Sequence, residues 1–226
     1  MPLPVSVADN PAAAFLPLGT QPPLIRIVRS ILGVVAEPGR IVVAVAAPLV
    51  GDVRTALASV ESVGVTAASE AAHRVDCLGA ALEYLRQASF STSHVLVHDI
   101  SSPLVSADLT ERVVEGLRGG GTVVMPALAV TDSVKAVDGN GSITATVDRS
   151  LLRAVQYPRG FTIDALAGLL ERGTSGEFDE IAAAIDAAVP VTYVDGDPDA
   201  FRAELPRDAE FVEAIIASRR PWPNDA

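Results

Sequence analysis

The sequence predicts an α/β protein built on a doubly wound, mostly parallel sheet. Runs of β-branched and other apolar residues alternate along the chain with stretches of helical spacing. Two of these runs, Arg40–Ala46 and His94–His98, are largely continuous, as in strands buried on both faces. Such strands alternating with helices favour a sheet covered by helices on both sides. The 226 residues are enough for one domain of this kind, which we place at residues 1–220, followed by a surface or disordered tail at 221–226.

The first half of the chain gives the clearest alternation. Val5–Ala8 is a short candidate strand, and the apolar spacing within Pro22–Leu32 predicts the first helix. The other elements predicted there are strands at Arg40–Ala46, Gly64–Ala67 and His94–His98, and helices at Gly51–Ser59, Cys77–Gln87 and Ala107–Leu117.

The second half continues this pattern around a hairpin. Three glycines, Gly119–Gly121, end the preceding helix, and a strand begins at Thr122–Met125. After the hairpin we expect helices at Ile163–Arg172, Asp179–Ala188 and Asp208–Ser218, with a strand at Val191–Val194.

A hairpin arm is predicted at about residues 131–149. Its β-rich runs, Ser133–Val137 and Ser142–Val147, flank Asp138-Gly139-Asn140-Gly141, and such Asp-Gly and Asn-Gly pairs favour tight turns. An isolated ribbon with few large apolar residues is marginal in water, so it must pack against something else, such as a second subunit. Lys135, the only lysine of the chain, lies on this arm.

Composition excludes several classes of protein. No run approaches the ~20 apolar residues of a membrane span, and the first residues lack the pattern of a signal peptide. A single cysteine, Cys77, rules out an internal disulfide framework and is typical of a reducing cytoplasm, where we expect the protein. The net charge of −11 argues against general nucleic-acid binding.

The carboxyl ends of the strands are the expected ligand site of such a sheet. Asp99 follows an apolar strand at this edge and could hold a divalent cation against phosphate oxygens. The alternative is that Asp99 caps the turn that continues into Ser101-Ser102-Pro103, and from spacing alone this interpretation is favoured. His98 is more often a hydrogen-bonded structural histidine than a general base.

These residues resemble the 2-C-methyl-D-erythritol 4-phosphate cytidylyltransferase family. The resemblance is specific from Val95 to Phe161 and weaker over the rest of the chain. The residues that carry it are Val95-Leu96-Val97-His98-Asp99, Pro103, Asp132-Ser133-Val134-Lys135, Arg149, Gln156, Pro158 and Phe161, with Phe15–Gly19 and Val194-Asp195-Gly196 outside that stretch.

The resemblance implies a nucleotidyltransferase-like, Rossmann-like fold and a homodimer held by the arm. It implies that Ser133 and Arg149 reach a sugar-phosphate substrate in the partner subunit, and that Arg202 binds the same substrate. Arg74 stands at the family's nucleotide-binding arginine. Asp99 would hold Mg²⁺ if the protein is active.

The departures from the family concern the nucleotide. The family's Gly-rich loop, whose amides wrap the triphosphate, corresponds here to a shorter stretch without glycine, lysine or arginine between Val7 and Phe15. Ser102 replaces a further arginine. We therefore expect a catalytically degraded paralogue that acts as a binding or regulatory homodimer. The alternative is an active cytidylyltransferase of the non-mevalonate isoprenoid pathway that makes 4-diphosphocytidyl-2-C-methyl-D-erythritol from CTP.

Overall fold

The structure is a computed structural model that describes residues 1–35, 38–60, 63–88, 92–173 and 178–219. The predicted tail at 221–226 lies outside these residues. The described strands, β1 to β10 in chain order, are Pro2–Leu3, Val42–Val45, Gly64–Ala67, His94–Val97, Val123–Ala129, Val134–Val137, Ile143–Val147, Arg153–Val155, Arg159–Thr162 and Val191–Asp195. The described α-helices, α1 to α9, are Val5–Asp9, Ala12–Phe15, Pro23–Leu32, Val50–Ala56, Arg74–Gln87, Ala107–Arg118, Ile163–Arg172, Glu180–Asp186 and Ala209–Ser218.

The strands form two sheets and a separate hairpin. β1, β2 and β3 pair in that order, all parallel. The second sheet has the order β10-β5-β9-β4, with β10 parallel to β5 and β8 paired to β5 as well. β9 runs antiparallel between β4 and β5. The predicted α/β class with a mostly parallel strand arrangement is confirmed.

Helices cover both faces of the second sheet. On one face Val97 and the fully buried Phe161 contact Leu82 of α5 and Leu166 of α7. On the other face Leu96 and Val124 contact Leu117 of α6. Apolar side chains therefore alternate along β4 and β9 between two helical layers, as a doubly wound sheet requires.

Gly160 of β9 lies where α6 crosses the sheet. A Cβ atom at this position would stand 2.7 Å from Leu117 Cδ1 and 2.8 Å from Val113 Cγ1. The absence of a side chain therefore lets α6 approach β9 closely.

The arm has the predicted form. β6 and β7 pair antiparallel with each other, and Gly141 in the turn has φ +83°, a conformation that favours glycine. Most side chains of the arm are exposed; Val137 is 61% exposed and Ile143 is 69% exposed.

Sequence reasoning was wrong about one strand and missed three others, β1, β8 and β9. Val5–Ala8 is helical, because the chain leaves β1 at Pro4, which precedes the first turn of α1. β8 and β9 were missed because Arg153–Val155 and Arg159–Thr162 are short and carry charged or glycine residues. None of the helices in the described ranges is long and apolar enough to cross a bilayer.

Candidate active site

Asp99 follows β4 at the carboxyl edge of the sheet. Its Oδ1 accepts hydrogen bonds from the Ser101 amide at 2.9 Å and the Ser101 hydroxyl at 2.5 Å. This is the predicted turn cap. The other oxygen, Oδ2, lies 2.6 Å from Nη1 of Arg74. Both carboxylate oxygens of Asp99 are thus engaged.

Arg74 begins α5 and connects three parts of the site. Besides Asp99, its Nε donates to Glu180 Oε1 at 2.6 Å and its Nη2 to the Tyr157 hydroxyl at 3.0 Å. Only 15% of the Arg74 side chain is exposed. The guanidinium expected at the nucleotide is therefore held in place by protein carboxylates.

Glu180 and Arg159 complete this network, and sequence reasoning identified neither. Glu180 is fully buried at the start of α8, and its Oε2 accepts from Arg159 Nη1 at 2.5 Å. Arg159 also donates to Asp179 Oδ2 at 3.2 Å. The Tyr157 ring contacts two guanidinium groups, with its centroid 4.4 Å from that of Arg159 and 5.3 Å from that of Arg74. We call Arg74, Asp99, Tyr157, Arg159, Asp179 and Glu180 the arginine–carboxylate network.

The network shifts the pKa values of its members. Burial alone would raise the pKa of Asp99, but Arg74 and the hydrogen bonds from Ser101 outweigh it and lower that pKa below its usual value. Burial, followed by the Glu180 charge, raises the pKa of the Tyr157 phenol. At neutral pH Asp99 is therefore charged and Tyr157 is neutral.

His98 departs from the sequence expectation. It is 2% exposed, and neither ring nitrogen has a hydrogen-bond partner among the described residues. Burial lowers its pKa to about 3, so the ring is neutral at neutral pH. The predicted hydrogen-bonded structural role is not what the structure has.

Arg202 lies close to this network. It is exposed on the segment after β10, and its charge contributes to the lowered pKa of Asp99. The same segment is fixed by Gln156, whose side chain donates to the carbonyls of Asp197 and Ala200 at 2.7 and 3.1 Å. Arg202 is therefore a cation at the open side of the site.

Ser133 and Arg149 lie on the arm, and both are exposed. Nη1 of Arg149 donates to the carbonyl of Thr131. Neither residue has a described hydrogen bond or ion pair to Asp99, Arg74 or Arg202 within the subunit. The structure thus brings three of the five predicted site residues together and leaves two on the arm.

Residues 5–15 take the place of the missing Gly-rich loop. They form the short helices α1 and α2, and Val5 N–H donates to the Ala72 carbonyl at 2.9 Å. The Asn10 side chain donates to the Leu205 carbonyl at 2.8 Å. This segment packs on neighbouring elements and offers no basic side chain to a phosphate.

Mg²⁺ does not fit the residues as they are arranged. Both oxygens of Asp99 already bind Arg74 and Ser101. Within the described part of the chain no cluster of three His, Cys, Asp or Glu residues could hold a metal ion. The metal role of Asp99 stays a prediction.

Comparison with known proteins decides the family. Residues 7–218 match the family model described as 2-C-methyl-D-erythritol 4-phosphate cytidylyltransferase. The chain belongs to this family. A member from Rhodococcus jostii is 35% identical over 212 residues, covering 94% of this chain and 90% of the relative. A member from Nocardia farcinica is 34% identical over 215 residues, covering 95% and 90%. The predicted resemblance is confirmed.

Solved structures agree on the fold of this family member. The synthase of 4-diphosphocytidyl-2C-methyl-D-erythritol from Anaerococcus prevotii has a TM-score of 0.76 at 18% identity, covering 91% of this chain and 93% of that chain. The cytidylyltransferase from Thermus thermophilus has a TM-score of 0.67 at 27% identity, with the same coverage. The nucleotidyltransferase-like fold is thus confirmed, whereas the roles of Ser133, Arg149, Arg202, Arg74 and Asp99 stay predictions.

Proposed function

We propose that the protein is a cytidylyltransferase that joins CTP and 2-C-methyl-D-erythritol 4-phosphate. The observation that carries this proposal is the family match over residues 7–218, together with relatives 34–35% identical over nearly the whole chain. Our first expectation from the sequence, a degraded paralogue, has less support than this alternative.

The reaction is a nucleotidyl transfer. A phosphate oxygen of the sugar phosphate attacks the α-phosphorus of CTP, a new P–O bond forms, and the bond to the β-phosphate breaks to release pyrophosphate. Such transfers depend mainly on positioning and on neutralising charge. In this proposal Arg202 binds the phosphate of the sugar substrate, and the partner's arm adds Arg149 and the Ser133 hydroxyl.

The arginine–carboxylate network forms the floor of this site. Arg74 is fixed by Asp99, Glu180 and Tyr157 and does not need to reorganise when a substrate binds. Because it is already paired, its role toward the nucleotide is to fix the site rather than to supply a free positive charge.

The test is pyrophosphate release with purified protein, CTP, the sugar phosphate and Mg²⁺. We expect release that requires both substrates and is much slower with ATP, GTP or UTP. No release above a control without protein would contradict the proposal.

A second candidate function is a homodimeric binding protein that has lost the nucleotide site. It is favoured by one observation, the packed helices α1 and α2 in place of a glycine-rich loop. Titration calorimetry separates the two proposals. The binding protein should bind the sugar phosphate while CTP–Mg²⁺ shows no heat, whereas a micromolar CTP constant, ~8 kcal/mol of binding free energy, would exclude it.

We also propose that the protein is a homodimer held by the arm. Ile143 and Leu151 are 69% and 81% exposed in one subunit, an unusual exposure for large apolar side chains next to a two-stranded ribbon. An interface between two copies would cover them and bring Arg149 toward the partner's site.

A further inference from the structure

Arg202 lies in a stretch of the chain without regular secondary structure. Within the described range 178–219, β10 ends at Asp195 and α9 begins at Ala209, with no helix or strand between them. An arginine on such a segment is mobile unless other groups hold the main chain that carries it. The structure has two anchors for this main chain, one on each side of Arg202.

Gln156 is the anchor before Arg202. It follows β8, is 8% exposed, and uses its side-chain amide only on this segment among the described contacts. Its Nε2 donates to the carbonyls of Asp197 at 2.7 Å and Ala200 at 3.1 Å, and its Oε1 accepts from the Asp197 N–H at 3.0 Å. Both hydrogens of the amide are therefore bound to main-chain carbonyls close to Arg202.

The main-chain carbonyl of Ser101 is the anchor after Arg202. It accepts from the Ala203 N–H at 2.7 Å. Ala200 and Ala203 are 1% and 4% exposed, whereas Arg202 between them is exposed. Since the Ser101 amide and hydroxyl also donate to Asp99, this anchor ties the segment to the turn after β4.

Gly196 allows Gln156 to approach the segment this closely. A Cβ atom at Gly196 would stand 2.4 Å from Oε1 of Gln156 and 2.8 Å from Cγ of Leu128. Neither distance is one that a real Cβ atom tolerates, so a side chain here would displace the amide or shift the chain that leads to Arg202. The glycine of Asp195-Gly196-Asp197 therefore belongs to the same anchor as Gln156.

We propose that Gln156 is a positioning residue for the phosphate of the sugar substrate and acts through Arg202. The inference rests on the proposed function, in which Arg202 binds that phosphate. A guanidinium whose main chain is already ordered loses less conformational entropy when it binds a phosphate, so it binds more tightly. Gln156 has no amide hydrogen left for a ligand, because both are used on the segment. Its effect on the substrate therefore passes through the segment and not through a direct contact.

A double-mutant cycle tests this route. Calorimetry with 2-C-methyl-D-erythritol 4-phosphate gives the dissociation constants of the wild type, Gln156→Ala, Arg202→Gln and the double variant. Gln156→Ala should raise the constant roughly fivefold in the wild type, but less than about twofold when Arg202 is already replaced, because the two residues act as one unit. Gln87→Ala, at an exposed position of α5, is the matched control and should change neither constant. Equal increases in both backgrounds would overturn the inference.

Hydrogen exchange at the Ala203 amide gives a second readout that needs no ligand. Gln156→Ala should speed this exchange about fivefold, because the segment then opens more often. Gly196→Ala should do the same, since it displaces the same amide. Unchanged exchange in either variant that folds would overturn the inference, so one variant is enough if the other fails to fold.

Failure of the proposed function gives a different result. The wild type would then bind no sugar phosphate and release no pyrophosphate, although exchange at Ala203 still responds to Gln156→Ala. That outcome would overturn the role of Arg202 and this inference with it. Binding by the wild type with equal effects of Gln156→Ala in both backgrounds would overturn this inference alone.

Discussion

Glu180 is the residue on which the buried part of the candidate site depends most. Its carboxylate accepts from Arg74 and Arg159 at 2.6 and 2.5 Å and has no exposed surface. A buried ion pair is weak evidence for stability, but removing one member leaves the others charged and desolvated. One carboxylate therefore holds two guanidinium groups that would otherwise repel each other.

Glu180→Gln should test this arrangement. We expect the free energy of unfolding to fall by about 3 kcal/mol, because two buried arginines lose their shared counter-charge. Urea denaturation measures the loss, and Glu171→Gln, at an exposed position of α7, is the matched control. If the two variants are equally stable, the network does not hold the fold together.

The pH dependence of Asp99 gives a second test. Its pKa is lowered in the folded protein, so the carboxylate stabilises the fold above its unfolded pKa of about 3.9, and this contribution is lost as pH falls through the folded pKa. The stability difference between wild type and Asp99→Asn should be constant from pH 7 to 5 and shrink below about pH 4. Asp186→Asn, at an exposed position of α8, is the matched control. A difference that does not shrink at all as the pH falls below about 4 would show that the charge of Asp99 is not what stabilises the fold.

Arg202 should matter for the sugar phosphate and not for the fold. Since a hydrogen bond to a charged group contributes about 1.5–3 kcal/mol, Arg202→Gln should raise KM for the sugar phosphate at least tenfold. KM for CTP should change much less. Arg207→Gln, an exposed arginine nearby in the chain, is the control. An equal increase in KM for both substrates would show that Arg202 does not bind the sugar phosphate in particular.

At the scale of elements, the sequence predicted most helices and the strands of the parallel pairs except β1. The strand at Arg40–Ala46 could be predicted because its β-branched run contains the buried β2. The arm could be predicted because Asp-Gly and Asn-Gly specify its turn. β9 could not be read, since Arg-Gly-Phe-Thr has no strand pattern and its glycine is set by the approach of α6. Tertiary packing decided that strand, not local propensity.

The arm carries the sharpest prediction at this scale. If Arg149 acts in the partner's site, Arg149→Gln and Arg202→Gln should each lose most of their activity when assayed alone at a sugar-phosphate concentration well below KM. A random mixture of the two should recover about a quarter of wild-type activity, because half of the dimers then hold one intact site of two. The mixture is made by unfolding and refolding the two variants together. If no activity returns, Arg149 and Arg202 act in the site of the same subunit.

Removing the arm tests the dimer directly. Replacing residues 135–143 with a short Gly-Ser linker touches no buried strand and should leave the sheet folded. Light scattering should find a dimer before the change and a monomer after it. A monomer before the deletion, or an unchanged dimer after it, would show that the arm is not the interface.

At the scale of the whole molecule, the sequence indicated where the candidate site lies but not which residues contact one another there. Asp99 was found because it follows a recognisable strand, and Arg74 and Arg202 were found through the family resemblance. Glu180 was missed because it lies 106 positions from Arg74, and Arg159 because its buried partner Glu180 lies 21 positions further along the chain. Only the folded chain shows that these charges neutralise one another.

We propose that this chain, despite its packed residues 5–15, still transfers the cytidylyl group. One ³¹P NMR time course with CTP, 2-C-methyl-D-erythritol 4-phosphate and Mg²⁺ follows both products directly. We expect the CTP signals to decline while pyrophosphate and the diphosphate of 4-diphosphocytidyl-2-C-methyl-D-erythritol appear in equal amounts. CTP that persists unchanged beside the intact sugar phosphate would contradict it.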